Sequence, residues 1–418
     1  MSEPQPGSET RSQSIPGSVG DVRRTNLALA LTSIARAAPS GPITRAQLAT
    51  ATGLTKASIS SLVLDLLTGG VVREVALEPR AERGRPGVGL EMNPGRAVVG
   101  MEINVDYIAA ELVSLTRERL LCVKRFRDNR GSSAADVMAD LAELVNTLLA
   151  EAADRGIAVI GGGLAVPGLI DQATSTVLTA PNLGWSGETL DARGLLPEAR
   201  LGVTLLNEAN AAALAEVRSR TGTAGPDFVF VSGEVGVGAG FVIAGSLFVG
   251  PAGHAGEIGH LVLEPEGLPC SCGGIGCLET IAGQDAILRA AGLADDPLET
   301  DMSRLLSALS SGESMAVAAV QRAATFLGMA LVSTARLMGV STVVLGGHFA
   351  VLAHWLVPPL FESMQRHAPG LIRADRVLLS SAGEGGAAFG CAGSVVQSLL
   401  DAPQFLIRPG PADVAEHP

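Results

Sequence analysis

Apolar and polar residues alternate along the chain in two rhythms, and the change of rhythm divides it. Over residues 22–37 (VRRTNLALALTSIARA) Ala and Leu recur at helical spacing, and Pro39 to Pro42 end the run. Thr44 is placed to cap a short helix, RAQLATAT, that stops at Gly53. Thr55 is placed to cap a second helix, in which Ile59, Leu62, Val63 and Leu66 have the 3, 4, 7 spacing of a buried stripe. Lys56, Ala57, Ser60, Ser61 and Leu64 then face away from the core. A strand-like VVREVAL and the loop EPRAERGRPGVGLEMNP follow, so helix, glycine turn, helix and hairpin predict a winged helix-turn-helix over residues 21–93. From Ala97 the text changes to strand-like VVGMEINVDYIAAELVSL, helical DVMADLAELVNTLLAEAADRG and strand-and-turn VIGGGLAVPGLID, then further strands and helices. That alternation predicts an α/β body over residues 94–402, large enough for two lobes with a cleft between them. Residues 1–20, rich in Ser, Pro and Gly, are expected to be a disordered leader, and 403–418 a tail.

Composition sharpens this reading. The 418 residues are 47% apolar and 17% charged, which suits a folded chain of two or three domains and excludes a disordered one. No stretch approaches the roughly 18 uninterrupted apolar residues of a membrane span, and the first twenty residues lack the apolar block of a signal peptide, so a cytoplasmic protein without a membrane partner is expected. The net charge of −12 argues against nucleic acid until its distribution is examined. Residues 21–90 carry nine basic groups against five acidic ones, so a small basic module precedes a large acidic body. Only thirteen aromatic residues occur, too few for stacking along single strands, whereas a helix reading duplex DNA needs no aromatic platform. The second helix presents a small, hydroxylic face with one cation. Arg45, Thr55, Lys56, Ser60 and Ser61, with Arg83 and Arg85 at the wing, are the candidate DNA contacts.

Chemistry concentrates in the body. His260 precedes CSCGGIGC, so His260, Cys270, Cys272 and Cys277 offer one imidazole and three thiolates, and Gly273, Gly274 and Gly276 let the backbone wrap around one ion. That donor set fits tetrahedral zinc with no open position, hence a structural metal. Asn182 (APNLGW), Asn207, Glu208 and Asn210 (NEAN), Glu257 (AGEIGH) and Glu279 (CLET) are polar residues in small, apolar contexts. Carboxylates that accept from vicinal hydroxyls and amides that both donate and accept suit a polyhydroxy ligand such as a sugar.

At these residues the sequence resembles the ROK family of repressors, open reading frames and sugar kinases. AGEIGH and CSCGGIGCLET look like the family signature, and VPGLID, APNLGW, NEANAAALAE and the amino-terminal GLTKASISSLVLDLLTGGVV with GRPG follow the expected order. The resemblance implies an actin-like, hexokinase-like two-lobed ATPase fold with an appended winged helix. It also implies a sugar pocket lined by Asn182, Asn207, Glu208, Glu257, His260 and Glu279, with His260 giving one ring nitrogen to zinc and turning the other to the sugar. Kinase members carry a D-x-G-G-T phosphate turn and an aspartate base. Here the corresponding stretch is Glu102-Ile103-Asn104-Val105-Asp106, Glu234 and Val235 stand in the second phosphate loop, and Glu208 takes the base position. A carboxylate beside the phosphates repels ATP, and an extra methylene displaces the base. The expectation is therefore a sugar-responsive regulator, a repressor, that binds a palindromic operator as a homodimer or homotetramer and does not phosphorylate its sugar. The alternatives are an active ATP-dependent sugar kinase that keeps a DNA-binding arm, and a protein-binding scaffold.

Overall fold

The computed structural model describes residues 19–77, 87–219, 225–293, 302–383 and 385–407, and its internal contacts separate Met1–Met92 with Ser398–Pro418 from Asn93–Gln397. In the first unit, helix Val19–Ala37 turns Leu27, Leu31 and Ile34 inward. Thr44 caps helix Arg45–Thr52 through a reciprocal box: its hydroxyl accepts from the Gln47 N–H at 3.2 Å, and the Gln47 side chain accepts from the Thr44 N–H at 2.9 Å. The helix closes at Gly53. Thr55 caps Lys56–Thr68, which buries Ile59, Leu62, Val63 and Leu66. Strands Ile43–Thr44, Val88–Met92 and Val72–Ala76 form an antiparallel sheet in that spatial order, with Val72 opposite Met92 and Ala76 opposite Val88. The hairpin tip, with Arg83 and Arg85, lies outside the described residues.

The chain end returns to this unit. In the short helix Gln404–Ile407 Leu406 is buried, and Ile407 Cγ1 lies 3.0 Å from where a Gly69 Cβ would stand. A Cβ at 69 would require the Ile407 side chain to give by a few tenths of an ångström.

The second unit is built on one sheet design used twice. Strands Arg96–Ile103, Tyr107–Ser114, Arg119–Phe126, Ala158–Val166 and Val203–Asn207, numbered in chain order, lie 3-2-1-4-5. Strands Phe228–Gly233, Val237–Ile243, Ser246–Phe248, Val343–Gly347 and Val377–Leu379 repeat that order. In each sheet the first strand pairs antiparallel with the second and parallel with the fourth. The parallel strands therefore send their carboxyl ends the same way, which is where α/β folds place ligands.

Helices Glu208–Ser219 and Gly386–Asp401 join the halves: Ala211, Ala213, Ala387 and Cys391 pack with Ala165 and Leu206 of one sheet and Phe228 and Phe230 of the other. Small residues let these helices approach closely; a Cβ on Gly390 would lie 1.7 Å from the Ala211 carbonyl oxygen. Cys391 is fully buried here, a packing role. Helix Ser314–Met338 is long and apolar enough to cross a membrane, but Val320, Ala323, Leu327 and Leu331 are buried in the second lobe's core beside helix Ala353–His367. Its apolar character is that of a core helix.

Candidate functional site

Four strands of the second unit end at one cavity. Asn104 follows Ile103, Gly168 lies just beyond Val166, Glu208 follows Asn207, and Glu234 follows Gly233, and all four residues line it. The six residues singled out for a sugar, Asn182, Asn207, Glu208, Glu257, His260 and Glu279, line the same cavity.

Local structure explains how each is held. Asn207 Nδ2 donates to the Gly168 carbonyl at 2.9 Å, and Oδ1 accepts from the Asn210 N–H at 3.0 Å, at the first turn of helix Glu208–Ser219. Glu279 opens helix Glu279–Ala282 and accepts from the Val237 N–H at 3.3 Å. Glu257 follows Gly256, whose φ of +116° and whose absent Cβ, 2.1 Å from the Ala239 carbonyl oxygen, only glycine supplies. Burial raises the Glu257 carboxyl above its usual range.

His260, Cys270, Cys272 and Cys277 bring four donor atoms within 4.8 Å of one another. Cys272 Sγ and Cys277 Sγ are 3.8 Å apart, and His260 Nδ1 and Cys270 Sγ are 3.6 Å apart. Two thiolates on a tetrahedral zinc stand about 3.8 Å apart, and a thiolate and an imidazole nitrogen about 3.6 Å, from the usual bond lengths. The donor set fits that ion. The other ring nitrogen of His260, Nε2, lies 3.7 Å from Glu257 Oε2, so one imidazole faces the thiolates on one side and the cavity on the other. A second link joins these places. Ser271, between two of the cysteines, puts Oγ 3.2 Å from both Asn182 Oδ1 and Glu279 Oε1.

The far end of the cavity is acidic. Asn104 Nδ2 donates to Glu208 Oε1 at 3.1 Å, and Glu102 accepts from Tyr107 Oη at 2.5 Å and from the Ala388 N–H at 3.3 Å. Burial pushes the Glu208 carboxyl well above its ordinary value, and the charges of Glu234 and Glu102 add to the shift. Glu102 is raised as well, chiefly by burial, and Lys124 pulls the other way. Burial, joined at Glu208 by like charge, thus favours the neutral form of both carboxyls. No Lys or Arg lines the cavity among the described residues. The two turns that the resemblance assigned to nucleotide phosphates thus bring in Asn104 and Glu234, with no cation.

Ser271 and Tyr107 escaped the sequence reading, and so did the partners of Asn104 and Glu102, two residues that entered it only as part of the first phosphate-turn stretch. Ser271 carried a signal, its place between two candidate metal donors; Asn104 meets Glu208 far along the chain, whereas Tyr107 and Glu102 lie five residues apart.

In the first unit Lys56, Ser60 and Ser61 lie on the exposed face of helix Lys56–Thr68. Thr55 spends its hydroxyl on the Ser58 N–H, and Ser60 donates to the Lys56 carbonyl at 2.9 Å. Ser61 accepts from Arg23 at 3.2 Å, and Arg45 pairs with Glu74 at 2.6 Å. Lys56 is the basic group of this helix that projects from its exposed first turn.

A twice-used sheet with a carboxylate- and amide-lined cleft is the plan of a sugar-kinase scaffold, and the winged helix-turn-helix makes its bearer a regulator. The chain belongs to the ROK family, whose profile matches residues 98–397. It is 27% identical over 379 residues to a xylose repressor of Caldicellulosiruptor bescii, covering 87% of this chain and 94% of that one. A solved ROK family transcriptional regulator, a homologue of the Escherichia coli MLC protein, superposes with a TM-score of 0.75 and 25% identity over 92% of this chain and 99% of its own. A ROK family glucokinase from Streptomyces griseus, solved with glucose and AMPPNP, superposes with a TM-score of 0.62 and 27% identity. It covers 72% of this chain and 99% of its own.

Proposed function

We propose that this chain is a sugar-responsive transcriptional repressor that reads a palindromic operator as a homodimer or homotetramer and registers a sugar without phosphorylating it. One observation carries the reading: the six polar residues converge on a cavity whose acidic end brings in Glu208 and Glu234 and, among the described residues, no Lys or Arg. The xylose repressor of C. bescii supports the repressor assignment and makes xylose the first sugar to test.

In this reading Asn182, Asn207, Glu208, Glu257 and Glu279 bind the sugar hydroxyls, and His260 presents Nε2 to the same ligand. Structural zinc on His260, Cys270, Cys272 and Cys277 supplies a fixed crosslink that holds the loop closed. Ser271 then carries any displacement of Asn182 or Glu279 to that loop. Helix Lys56–Thr68 enters the major groove with Lys56 on a phosphate or base edge, Arg45, Thr55, Ser60 and Ser61 beside it and Arg83 and Arg85 at the wing. The protein acts in the cytoplasm, where its operator is. A sugar shifts operator occupancy only if it binds the two lobe arrangements with different affinity, by several kcal/mol for a full switch.

The test has two arms. Selection of genomic fragments, followed by footprinting and anisotropy, is expected to yield a palindrome whose affinity changes with added sugar. A coupled assay with ATP and the same sugars is expected to show no turnover; ordinary kinase turnover would falsify the reading.

A further inference from the structure

Helix Lys56–Thr68 buries Ile59, Leu62, Val63 and Leu66, yet leaves Leu64 62% exposed. Leu64 stands three, four and seven residues beyond Ser61, Ser60 and Ala57, so these four share one face of the helix, and Lys56 projects from its first turn. The hydroxyls beside it are engaged within the unit. Thr55 Oγ1 accepts from the Ser58 N–H at 3.2 Å, Ser60 gives its single proton to the Lys56 carbonyl at 2.9 Å, and Ser61 Oγ accepts from Arg23 at 3.2 Å.

This face suits a duplex better than a protein partner. A protein interface has an apolar core, whereas the exposed neighbours of Leu64 along the helix, Ser60, Ser61 and Thr68, are hydroxylic, and Leu64 is a single apolar point among them. The charge agrees, since residues 21–90 carry nine basic groups against five acidic ones, the sign that phosphates require. In the major groove every base pair presents hydrogen-bonding groups, but thymine alone adds a methyl group. A helix whose hydroxyls are held by its own unit, and whose large exposed side chain is aliphatic, is equipped to find that methyl.

We propose that Leu64 is a base-reading residue, packing its side chain on the C5 methyl of a thymine in each operator half-site. The proposal rests on the repressor reading above and adds the base chemistry that helix Lys56–Thr68 recognises.

The test uses the full zinc-loaded chain and the operator obtained by genomic selection. Each thymine of one half-site, on either strand, is replaced in turn by deoxyuridine, which removes the methyl and keeps every hydrogen-bonding group. Anisotropy at fixed salt is expected to find a thymine whose replacement weakens binding by about three- to five-fold, the effect of burying one methyl group. Leu64→Ala is expected to bind the two forms of that operator equally. Leu64→Met, which keeps an apolar tip, is expected to retain the difference, and Lys56→Ala to weaken both forms while retaining their ratio. Indifference of the wild type to every deoxyuridine, or a ratio that persists in Leu64→Ala, overturns the methyl contact and leaves the repressor reading intact. Selection that yields no palindrome overturns both.

Discussion

His348 begins the short helix after strand Val343–Gly347, wedged where a Cβ on Gly233 would come within 2.6 Å of its ring. Nε2 is 3.1 Å from the Ala282 carbonyl, Nδ1 is buried without a partner, and burial pulls the imidazole down to about 4. Because the folded value lies below that of the unfolded chain, the unfolded state takes up the proton first as pH falls from about 6.5, and the native state loses stability down to about 4. Melting temperature against pH is expected to fall over that window, and His348→Gln to flatten it. Glu111 works in the opposite sense. Burial lifts its carboxyl to about 7 despite the Arg119 guanidinium 3.0 Å away, so its ionisation costs stability as pH rises from about 4.5 through 7. The wild-type minus His348→Gln difference curve isolates the histidine; a flat difference would refute the assignment.

Gly276 shows another residue-scale constraint. Its φ is +73°, and a Cβ there would lie 1.6 Å from the Glu264 carbonyl oxygen, inside the turn that brings Cys277 to the other donors. Gly276→Ala is expected to cost about 1–3 kcal/mol of stability and to lower bound zinc per chain, read by metal analysis alongside thermal unfolding. Full zinc content in that variant would mean that the loop does not control the site.

At the scale of elements, the amino-terminal unit is where sequence and structure agree most closely. Thr44, Gly53 and Thr55 act within three or four residues of themselves, so caps and turn could be read directly. The exposed face of helix Lys56–Thr68 follows from its buried stripe. Removing the cation in Lys56→Ala is expected to weaken operator affinity about five- to ten-fold at low salt and to reduce the salt dependence by close to one counterion. Affinity and slope unchanged from wild type would place the DNA contacts on a different element. Long-range placements escaped such reading. Asn104 meets Glu208 across 104 positions, and Ser271 meets Asn182 across 89; neither spacing leaves a periodic trace. The packing of Ile407 against Gly69 escaped for the same reason.

Across the whole molecule, the cavity and the candidate metal loop are linked through His260, which belongs to both, and through Ser271, whose Oγ lies 3.2 Å from Asn182 and Glu279. Glu257→Ala removes a carboxylate from the cavity and leaves the thiolates in place. It is expected to weaken sugar binding by about 10- to 100-fold, the usual loss for a charge-assisted hydrogen bond. Operator affinity measured without sugar is expected to stay within two-fold; a loss of both together would point to misfolding rather than to a binding role. The six sugar candidates stand out in the amino-acid sequence for a related reason. A carboxylate or amide among glycines and alanines has few local partners, so its chemistry is directed at something distant.

What the amino-acid order determined alone was everything local or compositional: two rhythms, caps and turns, four candidate metal donors within eighteen residues of one another, and a basic module before an acidic body. Which carboxylates share the far end of the cleft and where helix Gln404–Ile407 docks were decided by the tertiary structure. Burial and charge coupling are properties of the assembled sheets, and no window of sequence contains both partners.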